Sequence, residues 1–270
     1  MIIFEDGPRT SNGSSHSDKA GDDGSYTAFS DPSHFLAHVL SYLETPAYLR
    51  KALFAMHPNL RTAGALPSLD MPHHLRASEH CEYREGVTLS AKDSSNPGTY
   101  VDIGLPQRCL LRNVRIPENT RVTLRLGPTN EECEAVAPTA PREESGYYWG
   151  YTVRKCSSLS TVFTECSFDG GYDLSYGTSE RGRPFSEASA HSAPPFKHML
   201  VVFGGVAGLE AAVKADQELQ DKGIDSGNVG DLFDYWVNIL PGQGSRTIRT
   251  EEAVWLGLMG LRNVVDAQGT

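Results

Sequence analysis

Two segments near the carboxyl terminus combine an apolar run, a glycine-rich loop and the start of a helix. The first reads His198-Met-Leu-Val-Val-Phe-Gly-Gly-Val-Ala-Gly-Leu-Glu210, and the second reads Asn238-Ile-Leu-Pro-Gly-Gln-Gly-Ser-Arg-Thr-Ile-Arg-Thr-Glu-Glu252. Each predicts a buried strand that ends in a tight loop and continues into a helix. Because ligands bind at the carboxyl ends of strands in open α/β sheets, the two loops predict one small-molecule site built from both.

Length and composition restrict the class of protein. The chain has 270 residues, which allows one large domain or two modest ones. It has no run of 18 apolar residues, so no transmembrane helix is expected. The five cysteines form no Cys-x-x-Cys pair, which favours a reduced intracellular compartment and argues against a cysteine zinc site. A metal site at His73, His74, His80 and Cys81 is an alternative, but loop or core histidines are the more common explanation of such a cluster.

The net charge of -10 argues against a surface that coats nucleic acid in general. The charge is uneven, however, because the stretch from Val101 to Leu126 carries only Asp102 and Glu118 as acidic residues. Its five arginines are Arg108, Arg112, Arg115, Arg121 and Arg125. A basic stripe on an acidic protein is typical of a local nucleic-acid contact, and a solvated strand face is the alternative.

The first third of the chain predicts a loop and two helices. Residues 6–30 are rich in Gly, Ser and Asp and predict a flexible insertion. Asp31-Pro32 is a helix start, since a capping residue precedes a proline at the first helical position. Thr45-Pro46 repeats this signal, and His57-Pro58 ends the apolar face.

From about Tyr83 the pattern changes to short β-rich runs separated by turn residues at roughly ten-residue spacing. The predicted strands are residues 86–89, 100–103, 109–111, 121–126 and 147–153. Five strands of this kind fit an OB-like barrel, a common oligonucleotide-binding scaffold, inserted into a different fold.

The α/β pattern returns after residue 155, with strands predicted at 172–176, 199–203 and 233–240 and helices at 157–165, from Gly208, and from Thr250. Three strand-end loops result, at residues 177–182, 204–208 and 241–249. None matches a dinucleotide fingerprint, a P-loop or a nucleophile elbow, which argues against a nicotinamide enzyme, an NTPase and a serine hydrolase.

Several of these segments resemble the eukaryotic and archaeal RNA methyltransferases of the SPOUT superfamily, the family that includes human centromere protein 32. The similarity lies in Tyr148-Trp-Gly-Tyr-Thr-Val153, Gly177-Thr-Ser-Glu-Arg-Gly182, Leu200-Val-Val-Phe-Gly-Gly205 with Gly208-Leu-Glu210, and residues 241–252, with further matches at residues 66–76 and 83–87. It covers about residues 31–262.

The resemblance implies an α/β SPOUT-type fold whose C-terminal part is threaded into a trefoil knot. It places the methyltransferase domain at residues 1–82 and 154–270, with the OB-like β-barrel inserted at residues 83–153. Family members carry an N-terminal strand and helix ahead of the position of Ile2, so the resemblance also indicates an N-terminally truncated chain. Homodimers with the active site at the dimer interface are expected.

The resemblance also implies site residues. S-adenosylmethionine is expected to bind within the knot loops at Gly204, Gly205, Gly208, Glu210, Asn238, Ile239, Pro241, Gly242, Gly244, Ser245, Thr247 and Ile248. Arg181, Arg246, Arg249 and Glu251 are the candidate catalytic residues, and Glu180 is a second candidate base. Each of these arginines has a structural ion pair with Glu180, Glu251 or Glu252 as its alternative. No metal is expected, and the five barrel arginines would contact RNA.

The function that follows is an S-adenosylmethionine-dependent RNA methyltransferase, with base methylation of ribosomal or other structured RNA as the specific expectation. The alternative is a non-catalytic adaptor, associated with RNA or with the spindle, that retains the SPOUT fold. Localisation in the nucleus or nucleolus is expected rather than in the cytoplasm, with RNA as partner and no membrane association.

Overall fold

The computed structural model describes residues 1–7, 24–90, 98–127, 132–188 and 193–267, which form a mixed α/β structure. The strands are β1 (Ile2–Phe4), β2 (Tyr83–Thr88), β3 (Gly98–Asp102), β4 (Cys109–Arg112), β5 (Arg121–Leu126), β6 (Cys133–Val136), β7 (Arg154–Cys156), β8 (Leu174–Pro184), β9 (Met199–Val202) and β10 (Tyr235–Asn238). The α-helices are α1 (Pro32–Glu44), α2 (Ala47–Leu53), α3 (Ala140–Ser145), α4 (Leu159–Thr164), α5 (Phe185–Ala188), α6 (Gly208–Ala215), α7 (Gln217–Asp221) and α8 (Thr250–Asp266). Over the described ranges, no helix is both long and apolar enough to cross a membrane.

The chain divides into two compact units. The first contains Met1 and Gly13–Arg154, and the second contains Ile2–Asn12 and Lys155–Thr270. Helices α1 and α2 therefore group with the β-rich segment, whereas the sequence analysis places them in the domain of residues 1–82 and 154–270.

Helix α1 begins as the sequence predicts. Asp31 is its N-cap, and its carboxylate accepts a hydrogen bond from the backbone N–H of His34 at 2.9 Å. A second helix, α2, begins after Thr45-Pro46 as predicted, but its N-cap is Pro46, and Thr45 is the C-cap of α1.

The insertion predicted at residues 6–30 falls largely on residues 8–23, which lie outside the described residues. The last part of the predicted insertion, residues 24–30, is described, and one of its residues packs inside the first unit. Thr27 is buried, and its backbone N–H and hydroxyl both bond to the side-chain amide of Asn59 at 2.9 Å.

Five antiparallel strands in the order β4-β3-β2-β5-β6 form a barrel-like sheet in the first unit. An isolated parallel bridge between Leu110 and Glu132 brings the β4 edge to the chain just before β6, so the sheet is nearly closed. The core inside it consists of Val101, Ile103, Cys109, Leu111 and Leu124. Four of the five predicted strands are confirmed: the strand predicted at residues 121–126 matches β5, and the other three have shifted ends.

The fifth predicted strand, residues 147–153, is wrong. The sheet's fifth strand is β6, and residues 147–153 have no regular secondary structure. Gly150 has φ of 79°, which an extended strand does not adopt, and the buried indole of Trp149 donates to Glu85 Oε1 at 2.7 Å. Trp149 therefore packs against β2, and the segment does not join the ladder of the sheet.

The second unit contains a three-stranded parallel sheet in the order β10-β8-β9. Alternate residues of β9 face opposite sides. Leu200 and Val202 pack with Leu209 and Val213 of α6 on one face. Met199 and Val201 belong to a second cluster that includes Leu174, Tyr176, Val237, Leu261 and Val264, so helices cover both faces. Strand β1 pairs with β7 in a separate two-stranded sheet.

Strand β8 is longer than predicted. The sequence ends this strand at Tyr176, but it continues to Pro184. Gly177 pairs with Trp236, and the next pairing joins Arg183 to Val237, so residues 178–182 bulge away from β10. A Cβ atom at Gly177 would collide with Phe233, and one at Gly182 would collide with the backbone of Val237, so glycine permits both close approaches.

Candidate functional site

The carboxyl ends of the three parallel strands border one cleft of about 380 Å³. Its walls are the bulge of β8 at residues 178–181, the loop after β9 at residues 203–208, and the chain after β10 between Asn238 and Ala253. The two glycine-rich segments that open the sequence analysis thus meet at one cleft. This position at the carboxyl edge of a parallel sheet is where α/β proteins bind small molecules.

The loop after β9 is a tight turn that exposes its backbone to the cleft. The backbone N–H of Gly208 donates to the carbonyl of Gly205 at 2.9 Å, and Gly208 has φ of 75°. A Cβ atom at Gly204 would lie 2.8 Å from the backbone of Gly208 and Leu209, so this position needs glycine for packing. Gly205 is exposed and lines the cleft, so its backbone is accessible to a ligand.

Side-chain hydrogen bonds hold the bulge of β8 in place. Asn238 Nδ2 donates to the carbonyl of Glu180 at 3.0 Å, and Asn238 Oδ1 accepts from the backbone N–H of Leu240 at 3.0 Å. Thr178 Oγ1 donates to the carbonyl of Val202 at 3.0 Å. These bonds connect the ends of all three strands, so the cleft walls are fixed relative to each other.

The loop after β10 leads into α8, whose first residue also contacts the cleft. Thr250 Oγ1 donates to the carbonyl of Gly204 at 3.4 Å. Helix α8 begins at Thr250, as the sequence predicts, and its N-cap is Arg249, whose backbone N–H donates to Glu252 Oε2 at 3.3 Å. The acidic first turn, with Glu251 and Glu252, is as expected for the positive end of a helix dipole.

Charged groups of both signs surround the cleft. Arg181 Nη1 lies 3.4 Å from Glu210 Oε1, and Arg181 Nε lies 3.8 Å from Glu180 Oε1. The carboxylate of Asp6 approaches Gly205, since a Cβ there would lie 2.7 Å from Asp6 Oδ2. Arg246 is exposed and also lines the cleft. Among the described residues no cluster of His, Cys, Asp and Glu is arranged to hold a metal ion.

The structure brings most of the predicted site residues together. Those that line the cleft are Gly204, Gly205, Gly208, Glu210, Asn238, Ile239, Thr247, Ile248, Arg181, Arg246 and Glu180. Those that do not line it are Pro241, Gly242, Gly244, Ser245, Arg249 and Glu251. Gly244 and Ser245 border a neighbouring surface depression next to Trp255.

Sequence reasoning missed other residues at the cleft, among them Phe203, Ser226 and Gln243. Ser226 comes from the loop after α7, and its hydroxyl donates to the carbonyl of Glu210 at 3.3 Å. No local pattern marks Ser226, because its loop reaches the cleft only through packing. Phe203 and Gln243 lie within the two glycine-rich segments, so their position in the sequence could have identified them as cleft residues.

The five barrel arginines fall into two groups. Arg121 is bonded to Glu44 at 2.6 Å and 3.1 Å and to Glu85 at 2.6 Å, and Arg125 contacts Glu144, Glu82 and the hydroxyl of Tyr83. Burial lowers the pKa of Arg121, but hydrogen bonds and charge interactions with Glu44 and Glu85 outweigh this effect. The net result is a pKa above the usual value, so Arg121 stays charged. The remaining arginines, Arg108, Arg112 and Arg115, are exposed.

Comparison with known proteins identifies the family of this chain. A family model described as "Putative RNA methyltransferase" matches residues 1–261. The 28S rRNA (uridine-N(3))-methyltransferase of Mus musculus is 46% identical over 233 residues, which cover 84% of this chain and 58% of that protein. The Homo sapiens protein of the same name is 45% identical over 84% of this chain and 60% of its own length.

The Drosophila melanogaster protein of that name is 41% identical over 99% of this chain and 55% of its own length. The chain thus spans between 55% and 60% of the length of these three relatives.

Proposed function

From the premise that this chain belongs to the RNA methyltransferase family whose model matches residues 1–261, we propose that it is an S-adenosylmethionine-dependent RNA methyltransferase. One observation supports this most strongly. The glycine-rich loops that the family resemblance assigns to the cofactor border a single cleft at the carboxyl ends of three parallel strands.

The residues of the cleft fit a nucleoside-sized ligand. Its volume of about 380 Å³ lies in the usual range of small-molecule sites, about 300–1,000 Å³. The backbone of the half-buried Gly204 and the exposed Gly205 offers amide groups, and Ile239 and Ile248 supply apolar surface for a flat ring. When bound, S-adenosylmethionine supplies an electrophilic methyl group, so the protein contributes mainly position and exclusion of water.

The names of the relatives point to the N3 atom of a uridine in ribosomal RNA as acceptor. That nitrogen must lose a proton, which requires a general base within hydrogen-bond reach. Glu180 is favoured over Glu251 for this role, because Glu180 lines the cleft. Arg181 and Arg246 would hold a phosphate or the target base, since guanidinium groups bind such groups through paired N–H donors.

We propose further that the second unit has the SPOUT-type trefoil knot and forms a homodimer. The exposed side of α8 supports the dimer. Trp255 and Met259 are 79% and 78% exposed, and Leu258 lies between them on the same side of the helix. Large apolar side chains grouped in this way mark an interaction surface.

The barrel-like sheet supports RNA as the partner. Its first strand along the chain, β2, lies between the second, β3, and the fourth, β5. The third strand, β4, and the start of the fifth, β6, approach each other in parallel where the sheet closes. This strand arrangement supports the proposal that the sheet is an OB-like barrel, a fold that binds oligonucleotides. With ribosomal RNA as substrate, the proposed location is the nucleus or nucleolus.

Calorimetric titration with S-adenosylhomocysteine tests the proposal. We expect saturable binding by the parent chain and no binding by Gly205→Trp, because the new side chain would fill the cleft. Gly64→Trp is the matched control, since Gly64 is an exposed residue of the first unit and an added Cβ there meets no atom within 4 Å. Absence of binding by the parent chain, or equal binding by Gly205→Trp, would contradict the cofactor site.

A further inference from the structure

A carboxylate from the amino-terminal part of the second unit reaches the loop after β9. An added Cβ at Gly205 would lie 2.7 Å from Asp6 Oδ2, and both atoms that such a Cβ would meet within 4 Å belong to Asp6. Gly205 lines the cleft and Asp6 does not, so the Asp6 carboxylate lies beside the rim of the cleft. Asp6 belongs to none of the segments that carry the family resemblance, and nothing so far gives it a role.

Strand β1 fixes the backbone next to Asp6. Phe4 packs against the core cluster that includes residues of β9 and α6. The backbone N–H of Glu5 donates to the carbonyl of Cys156 at 3.3 Å, and Glu5 Oε1 lies 3.6 Å from Lys155 Nζ. Because Asp6 follows directly, its carboxylate is presented from a strand that is attached to the second unit rather than from a free end.

Asp6 differs from the other carboxylates near this loop in its lack of a partner. Glu210 and Glu180 lie 3.4 Å and 3.8 Å from nitrogens of Arg181. Within the described ranges, by contrast, no cation pairs with Asp6 and no donor bonds to its carboxylate, and the residue is exposed. An unpaired carboxylate attracts a cationic group of a ligand and repels the phosphates of RNA.

The cofactor of the proposed function has two cationic groups, the sulfonium and the α-ammonium of its methionine part. The sulfonium carries the methyl group and must face the acceptor base, for which Glu180 in the bulge of β8 is the proposed general base. Asp6 approaches a different wall of the cleft, the loop after β9. The cationic group that remains for Asp6 is the α-ammonium, and a hydrogen bond between an ammonium and a carboxylate is stronger than one between neutral groups.

We propose that Asp6 binds the α-ammonium group of the cofactor and selects ligands that carry this cation. The inference rests on the proposed function in taking S-adenosylmethionine as the ligand. It adds a specificity-determining residue that comes from the segment after β1 rather than from the glycine-rich loops. By repelling phosphate, the same carboxylate keeps this part of the rim for the cofactor rather than for RNA.

Isothermal titration calorimetry with the full chain at pH 7 tests this inference, since an α-amino group is largely protonated at that pH. The ligands are S-adenosylhomocysteine and its deamino analogue, in which hydrogen replaces the α-amino group. We expect the parent to bind S-adenosylhomocysteine about three- to tenfold more tightly than the analogue. Asp6→Asn removes the charge and keeps the shape, so it should weaken S-adenosylhomocysteine binding by a similar factor and change binding of the analogue by less than about twofold.

Two controls separate this contact from general effects. Asp231→Asn removes another exposed carboxylate of the second unit that does not line the cleft, and it should bind both ligands within about twofold of the parent. Raising the ionic strength from about 0.1 M to about 1 M shortens the Debye length from about 10 Å to about 3 Å, so it should reduce the difference between the parent and Asp6→Asn.

Three results would overturn the inference while leaving the cofactor site in place. These are equal binding of S-adenosylhomocysteine by the parent and Asp6→Asn, equal weakening of both ligands by Asp6→Asn, and equal affinity of the parent for the two ligands. The second result would show that Asp6 acts on the structure of the cleft rather than on the ammonium. A parent chain that binds neither ligand would refute the cofactor proposal and this inference together.

Discussion

At the scale of single residues, glycines of the second unit serve different purposes. Gly182 allows β8 to approach β10, because a Cβ there would lie 2.7 Å from Val237 Cα and Asn238 N. Backbone atoms cannot move aside as the end of a flexible side chain can. Gly244, in the loop after β10, has no atom within 4 Å of an added Cβ. The two positions look alike in the sequence but differ in what a methyl group would meet.

Gly182→Ala is therefore expected to lower the free energy of unfolding of the second unit by about 1–3 kcal/mol, the usual cost of an overpacked site. Gly244→Ala is the matched control and should stay within about 0.5 kcal/mol of the parent. Urea denaturation followed by tryptophan fluorescence measures both. Equal stabilities for the two variants would show that the approach of β8 to β10 is not tight.

At the scale of elements, the end of α1 is fixed to the barrel-like sheet by a buried charge network. Glu44, the last residue of α1, accepts hydrogen bonds from Arg121 of β5 and lies 2.9 Å from His73 Nε2. Glu85 of β2 accepts from Arg121, Thr123 and the Trp149 indole. Removing one member of such a network leaves an unpaired buried charge, which costs more than the pair contributes.

This network predicts that acid destabilises the first unit. Burial lowers the pKa of His74 below 6.5, although its hydrogen bond to the Glu44 carbonyl opposes the shift. Burial raises the pKa of Glu44, but hydrogen bonds from His73 and Arg121 outweigh this effect and hold it below 4.5. The unfolded chain thus binds more protons at both groups, so stability falls as pH decreases below 6.5 and falls further below 4.5.

Calorimetric melting temperatures between pH 7 and pH 4 check this expectation. His74→Gln should reduce the loss that begins below pH 6.5, while the exposed His80→Gln serves as control and should follow the parent. A parent melting temperature that is constant or rises toward pH 4 would contradict the assignment. So would a His80→Gln profile that resembles that of His74→Gln.

At the scale of the whole molecule, the exposed side of α8 bears on assembly. Leu261 and Val264 on its other side are buried against the parallel sheet, together with Leu174 and Val237. The side with Trp255, Leu258 and Met259 has no such cover from the described residues. Burying a large apolar side chain contributes about 1.5–3 kcal/mol, so three of them favour association of two copies.

Trp255→Glu is expected to convert the proposed homodimer to a monomer, because a carboxylate in an apolar interface loses its hydration without a partner. Light scattering coupled to size-exclusion chromatography gives the mass of each variant. Met56→Glu is the control, since Met56 is a fully exposed apolar residue of the first unit. A parent chain that is monomeric at high concentration would refute the dimer.

The sequence by itself determined the features that depend on local chemistry. The start of α1 followed from Asp31 and Pro32, and the strand–loop–helix order at residues 199–215 followed from an apolar run and glycines. The convergence of the loops after β9 and β10 was also predictable, because parallel strands place their carboxyl ends at one edge. The family resemblance rests on the same local segments.

Only the tertiary structure decided which side chains find partners. Arg112 and Arg121 are equivalent in the basic stripe, yet Arg121 is enclosed by Glu44 and Glu85, which lie 77 and 36 residues away. Residues 147–153 have a strand-like composition, but Gly150 and the bond of Trp149 to Glu85 direct them onto β2. Pairings between distant segments depend on the packing of the whole chain, and no local pattern of residue types specifies them.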